Sequence, residues 1–332
     1  MVRIPMLDLF SGVGTFSSVL HEFCQTIAYC DNNAYSRSTL RSLMKKKLID
    51  AAPIFNDVCT LKVSDISRKP VVITAGFPCQ DVSIANPHAL GVHGPRTGLV
   101  KQVYRLVDEL RTVKLIILEN SPIIMTRGGQ SVVKALKQRG FSVSWTIISC
   151  SDVGAPLLRK RWFCIAQKDH FDIPLLSIPA DRWSRETSPR LIHRNSTLAR
   201  TAIVRCRLLG NAIVPQQLAF AINALLHGSK TAVHKRSVQL DMMQGTTRFK
   251  KNTWGSPGSR WYQYDILTDR SARMLSNQVF YDAKTVEAFN DSTGKLYDLY
   301  LVSPRWVEWL CGFPRDWTQF PVEKNSKYPD MG

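Results

Sequence analysis

The sequence predicts an α/β protein: a mostly parallel sheet with helices on both faces, followed by a smaller C-terminal lobe. Three observations lead there. Short, apolar, β-branched runs alternate with segments of helical spacing through the first half of the chain, the pattern of strands joined by helical crossovers. The 332 residues are 44% hydrophobic, enough for a sizeable core. After about His227 the composition changes, and Trp254, Trp261, Tyr262 and Tyr264 stand among glycines, serines and basic residues.

In chain order, Ile4 to Phe10 has the strand pattern, and Phe16 to Phe23 follows it as a helix. Thr26 to Tyr29 is a second strand, and a polar helical stretch runs on through Lys47. Val71 to Ala75 is short, apolar and β-branched, and Gly76 and Pro78 end it. Leu115 to Leu118, Ser142 to Ile148 and Lys160 to Ala166 are further strands, with helices over Gln102 to Arg111 and Gln130 to Arg139. Residues 167–207 carry prolines, serines and arginines with weak periodicity and are expected to be irregular. Gln216 to Leu226 has helical apolar spacing. A last helix, Pro304 to Leu310, is started by Ser303 and stopped by Gly312 and Pro314. The expected domains are a catalytic and cofactor-binding part over 1–166, the irregular insertion 167–207, a completing segment 208–227, and the lobe 228–332.

Lys and Arg total 44 against 26 Asp and Glu, a formal charge of +18, which points to a polyanionic partner, most simply nucleic acid. The competing reading is a basic surface kept for solubility. No apolar run approaches membrane-span length and the N-terminus lacks a signal-peptide layout, so a soluble intracellular protein with no membrane partner is expected. The eight cysteines include no C-x-x-C pair, which argues against a zinc site and a disulfide framework. No metal is expected, and free thiols suit a reducing compartment.

The candidate chemistry lies at strand ends. Gly12 and Gly14 follow the first strand, where glycine lets the backbone turn tightly beside a ligand. Asp31 ends the second strand, placed to accept from ribose hydroxyls. Asp57 precedes Val58, a carboxylate for an adenine amino group beside an apolar residue for the ring. Each acid alone is more often a solvated turn residue; acids and glycines after successive strands make a nucleoside pocket. No Lys-Ser/Thr follows the glycines, which disfavours a triphosphate cradle. Cys79 sits just past a strand, Glu119 ends another, and Arg159 and Arg161 are two apart, on one face of a strand. Alone, Cys79 also reads as a small buried hydrophobe. Together, a thiol, a carboxyl and an arginine converge at one sheet edge.

The blocks DLFSGVGTFS, GFPCQDVS, LENS, GAPLLRKRWFCIA and LLGNAIVPQQL, in this order, strongly resemble the DNA (cytosine-5) methyltransferases and cover most of residues 4–226. The resemblance implies a Rossmann-like, class I S-adenosylmethionine-dependent methyltransferase fold. It implies that Cys79 adds to C6 of a flipped-out cytosine, that Glu119 holds or protonates the N3 edge, and that Arg161, with Arg159, faces O2. Asn120 would fix the Glu119 and Pro78 loops. S-adenosylmethionine would lie over Phe10, Gly12 and Gly14, with Asp31, Asn32, Asp57, Val58, Pro78 and Asn211 around it. Gln80, Ser83 and Arg96 would meet double-stranded DNA. A monomer is expected, in the cytoplasm, or in the nucleus of a eukaryotic host.

The sequence departs from the family pattern in four places. Ser121 follows Asn120 where valine is usual, Leu157 replaces a glutamine, and Thr15 replaces a glycine. The last is architectural. Little chain separates the arginine strand from the Gly-Asn block, and LVSPRWVEWLCGFPRDWT (301–318), which resembles the family's Leu-Gln-Gly-Phe-Pro block, follows the Gly-Asn block instead of preceding it. This layout resembles phage- and large-virus-type enzymes and moves DNA reading to 228–332, with Lys250, Lys251, Trp254 and Arg260, helped by 167–207. A tail that merely covers the sheet is the alternative. Two other functions compete: a transfer-RNA cytosine methyltransferase, whose usual Cys-Phe-Thr block is absent, and a DNA-binding relic, which the intact Cys79, Glu119 and Arg161 oppose.

Overall fold

A computed structural model describes residues 2–78, 97–126, 128–155, 157, 159–169, 171, 173–178, 183, 191–193, 196, 199–228 and 300–321. The chain divides into two compact units. The first holds 1–153, 158–180 and 213–234; the second holds 154–157, 181–212 and 235–332. The second unit thus gathers the end of the insertion with the C-terminal segment.

The first unit is built on a seven-stranded sheet. Its strands are β1 (Ile4–Leu9), β2 (Cys24–Cys30), β3 (Ile54–Phe55), β4 (Val72–Gly76), β5 (Leu115–Asn120), β6 (Ser142–Ser149) and β7 (Lys160–Gln167), in the order β3-β2-β1-β4-β5-β7-β6. The pairs from β3 through β5 are parallel, whereas β7 runs antiparallel to both β5 and β6. The α/β class with a mostly parallel sheet is therefore observed. The chain order switches direction between β1 and β4, the kind of edge where open α/β sheets place ligands.

The helices are α1 (Thr15–Val19), α2 (Ala34–Lys45), α3 (Val100–Leu110), α4 (Gly129–Gln138) and α6 (Pro215–His227). α1 is shorter than the spacing from Phe16 to Phe23 suggests. The Cys24 amide already bonds back to the Leu20 carbonyl (2.7 Å), and the chain turns there into β2. Asn33 caps α2, its side-chain oxygen accepting from the Tyr35 and Ser36 amides. One sheet face packs Val103, Leu106 and Leu136 of α3 and α4 against Leu7, Ile73 and Ile116. The other packs Phe16, Leu218 and Ile222 of α1 and α6 against Met6, Val72 and Ile117. β5 is buried along its whole length.

The second unit holds α5 (Ala199–Asn211), the pair β8 (Leu191–His193) and β9 (Tyr300–Val302), and α7 (Pro304–Leu310). β8 lies inside the stretch expected to be irregular, 167–207, and α5 begins in it and runs four residues past its end. α7 has the predicted bounds, with Ser303 as its N-cap and Gly312 in the left-handed region (φ 74°) just beyond it. Arg205 of α5 is buried, 1% exposed; its Nη2 pairs with Glu308 Oε1 (2.7 Å) and its Nε donates to Thr318 Oγ1 (3.0 Å). Glu308 also accepts from the amides of Asp316 (2.7 Å) and Thr318 (2.8 Å). Thr201–His227 is apolar and long enough to cross a membrane, which the sequence reading overlooked; it comprises two helices, α5 and α6, and 67% of the window is buried.

Candidate active site

The turn after β1 sets the cofactor side. Phe10 has φ 53°, a conformation that costs a bulky residue energy, and Gly12 (φ 54°) and Gly14 (φ 76°) follow in the same left-handed region. The space at Gly14 is also tight: a Cβ there would stand 3.2 Å from Leu40 Cδ2. Thr15, the residue that replaces a glycine, starts α1 and donates from Oγ1 to the Ile213 carbonyl (3.4 Å).

Asp31 follows β2 directly. Its Oδ2 accepts from the Gly12 amide (2.7 Å) and its Oδ1 from the Asn33 amide (2.8 Å). One carboxylate thus locks the glycine turn to the start of α2. Burial pushes the Asp31 carboxyl up, and the two amides and Arg37 pull against that. Each carboxylate oxygen has a second lone-pair site, so the pinned group can still accept from a ligand hydroxyl. Asn32 is exposed. Past β3, Asp57 is exposed and Val58 is buried in the core cluster that also holds Phe77, with Phe10 and Phe55 packed against that cluster. A pinned acid, a glycine turn and an acid next to an apolar wall fit a nucleoside.

The reactive side lies two strands on. In the parallel register of β4 and β5, Gly76 is level with Glu119, and a Cβ at Gly76 would come 3.3 Å from Glu119 Oε2. Glycine there gives the carboxyl its space, a role not evident from the sequence. Glu119 is 7% exposed and its Oε1 pairs with Arg161 Nε at 2.7 Å. Burial pushes its carboxyl up, while Arg161 and then Arg159 hold it down. Such a group is a carboxyl able to carry a proton and aimed by a guanidinium. Asn120 Nδ2 donates to the Phe77 carbonyl (3.1 Å) and its Oδ1 accepts from the Ser121 amide (2.8 Å), tying the end of β5 to the run before Pro78.

Arg161 lies in β7, Arg159 is buried just before that strand, and both act on the Glu119 carboxyl. Leu157, in place of the glutamine, is buried. Asn211 is exposed at the end of α5 and belongs to the second unit. Cys79, Gln80, Ser83 and Arg96 lie outside the described residues, as do Lys250, Lys251, Trp254 and Arg260. Among the described residues no group of three His, Cys, Asp or Glu is placed to hold a metal.

Two buried polar residues escaped the sequence reading. Asp8, inside β1, accepts from Thr74 Oγ1 (2.7 Å) and Ser17 Oγ (3.0 Å), beneath the glycine turn. Its only signal is a charge within an apolar strand. Gln217 of α6 donates from Nε2 to the carbonyls of Ile148 (2.8 Å) and Arg159 (3.1 Å), clamping the ends of the β6–β7 pair.

The family model described as C-5 cytosine-specific DNA methylase matches residues 4–332. The type II methyltransferase M.CviJI of Paramecium bursaria Chlorella virus IL3A is 29% identical over 270 residues, 78% of this chain and 70% of its own length. M.NlaIV of Neisseria lactamica is 27% identical over 175 residues, and the match covers 48% of this chain and 40% of that relative. Among solved structures, a putative DNA modification methyltransferase encoded within an Escherichia coli prophage is similar over 52% of this chain and 49% of its own, with 25% identity and a TM-score of 0.42.

Proposed function

The chain belongs to the C-5 cytosine-specific DNA methylase family, and from that premise we propose that it moves a methyl group from S-adenosylmethionine to C5 of a cytosine turned out of duplex DNA. The observation that carries this reading is the buried Glu119–Arg161 pair, 2.7 Å long, one parallel strand away from the strand that leads into Cys79. The family model, described as that of a DNA methylase, supports DNA as the substrate, and so does the charge of +18. The protein is read as a monomer working inside the cell.

Bound S-adenosylmethionine supplies an electrophilic methyl group. The protein's part is to make cytosine C5 nucleophilic and to hold both partners. The Cys79 thiolate forms a bond to C6 and moves electron density toward C5. Glu119, whose carboxyl burial pushes up against the pull of Arg161 and Arg159, would hold or protonate N3 as charge builds there, and Arg161 keeps the carboxyl aimed and faces O2. With the methyl group on C5, loss of the C5 proton to a base would break the Cys79–C6 bond, and N3 would return any proton it had taken to Glu119, which restores the ring. A base in the stack is out of reach of Cys79, so it must be extruded. Asp31 and the Gly12–Gly14 turn would hold the ribose end of the cofactor, and Asp57 with Val58 the adenine end, with Pro78 beside them. Gln80, Ser83 and Arg96 hold the strand that carries the extruded base, while Lys250, Lys251, Trp254 and Arg260 contact the flanking duplex.

The test is a duplex carrying 5-fluorocytosine at the target position. The wild-type protein should form an adduct that survives denaturation. Cys79→Ser should form none and should transfer no methyl group, yet bind S-adenosylhomocysteine as the wild type does by calorimetry. Turnover by the serine variant would remove Cys79 from the mechanism.

A further inference from the structure

Arg105 stands on α3, away from the reacting edge, yet its guanidinium reaches the turn that follows β3. Nη2 donates to the carbonyl oxygens of Val58 (3.0 Å) and Leu61 (2.9 Å). Nε donates to Gln102 Oε1 (2.7 Å), and Nη1 donates to both carboxylate oxygens of Glu109, each at 3.1 Å. A guanidinium has five N–H groups, and these contacts use all of them. Lysine has neither the fork nor the number of donors to replace it.

The turn it grips is the one that bears Asp57. Asp57 Oδ1 accepts from the Cys59 amide (2.9 Å), and the Asp57 carbonyl accepts from the Leu61 amide (3.2 Å) and from Thr60 Oγ1 (3.3 Å). The turn bonds internally through Asp57, while the Val58 and Leu61 carbonyls face out of it and are taken by Arg105. The same helix presses on the turn from below: Val58 and Leu61 are buried in one cluster with Val103 and Leu106 of α3. The turn is thus held twice by one element, through side chains by packing and through backbone by a charged fork. β3 is only two residues long and offers little anchorage of its own.

We propose that Arg105 is a positioning residue for adenine recognition: it fixes the backbone from Val58 to Leu61 so that Asp57 meets the adenine amino group and Val58 meets the ring. The inference rests on the reading of Asp57 and Val58 as the adenine end of the cofactor site. Its readout is base discrimination. S-adenosylhomocysteine carries the amino group that Asp57 would accept from; S-inosylhomocysteine carries a carbonyl oxygen in its place.

The experiment measures the affinity of the full chain for both compounds by calorimetry, with steady-state methylation alongside. Asp57→Ala should bring the two affinities close together. Arg105→Met should weaken S-adenosylhomocysteine binding by about tenfold, with a much smaller effect on S-inosylhomocysteine. It should raise KM for S-adenosylmethionine while kcat at saturation stays within about twofold of wild type. Glu109→Gln, which leaves the two carbonyl contacts in place, should keep the wild-type discrimination. Should Arg105→Met fail to fold, Arg105→Lys decides, with an intermediate loss of discrimination expected. Wild-type discrimination in the Arg105 variant, alongside its loss in Asp57→Ala, overturns the role of Arg105 and leaves the adenine site standing. Discrimination that persists in Asp57→Ala overturns the adenine reading and this inference together.

Discussion

Asp8, Asp31 and Glu119 are three buried acids at one end of the sheet, and their surroundings give them different work. Among the described residues the Asp8 carboxyl has hydroxyl partners, and burial pushes it up to about 7, with the Thr74 and Ser17 hydroxyls pulling down and Asp31 adding to the rise. Unfolded, the group titrates near 3.8. Between these values the folded chain keeps a proton that the unfolded chain has lost, so stability falls as pH rises through that window and levels off above it. Asp8→Asn should abolish this dependence, since an amide can still accept from one hydroxyl and donate to another. The gap in unfolding free energy between variant and wild type, from urea titrations at pH 5 and pH 8, should therefore shift by about 2–3 kcal/mol in favour of the variant at the higher pH. A gap that does not move with pH would mean that Asp8 is charged throughout. Asp31 and Glu119 were legible in the sequence because each stands where a strand stops and a ligand can begin. Asp8 was not, because its meaning comes from Thr74, a neighbour only in the folded sheet.

At the scale of elements, most of the first unit follows from local pattern. β-branched runs became strands, and the spacings from Gln102 and Gln130 became α3 and α4, longer by a residue or two at their starts. The reversal of β7 was not foreseen, although the link from Ser149 to Lys160 is too short and too broken by Gly154 for the helical crossover that a parallel pair requires. α5 was not legible, for a physical reason. Its buried positions include Arg205, and an arginine on the inner face breaks the apolar period that marks a helix. The clamp made by Gln217 shows how an element far along the chain sets the geometry of a site residue. Its amide spans the Ile148 and Arg159 carbonyls, so α6 fixes where the strand bearing Arg161 begins. Gln217→Leu leaves both carbonyls buried without that donor and should cost about 1–3 kcal/mol of stability by urea titration. Because Arg161 aims Glu119, kcat should fall more than KM for S-adenosylmethionine rises. Equal kinetic parameters in the two proteins would confine Gln217 to a packing role.

At the scale of the molecule, residues 300–321 are part of a core, with Trp306, Val307, Leu310, Phe313 and Trp317 buried. The composition shift at residue 228 suggested a separable tail, but shift and compact unit do not coincide. Deleting everything from Tyr300 onward should strip Arg205 of Glu308 and Thr318 together. Removing one side of a buried ion pair costs about 3–5 kcal/mol, because the remaining charge has no water to return to. Limited proteolysis should then cut the truncated chain within 181–212, at sites protected in the full chain, while S-adenosylhomocysteine binding by the first unit persists. An unchanged digestion pattern would show that α5 holds its fold without its partner. The same pair also sets a clock during synthesis. Arg205 and Glu308 are 103 positions apart, so at about 5–20 residues per second the arginine leaves the ribosome roughly 5–20 seconds before its counter-charge exists. For that interval α5 is a nascent segment with a cation on the face it must bury, and a chaperone that favours basic, apolar stretches has its opening there.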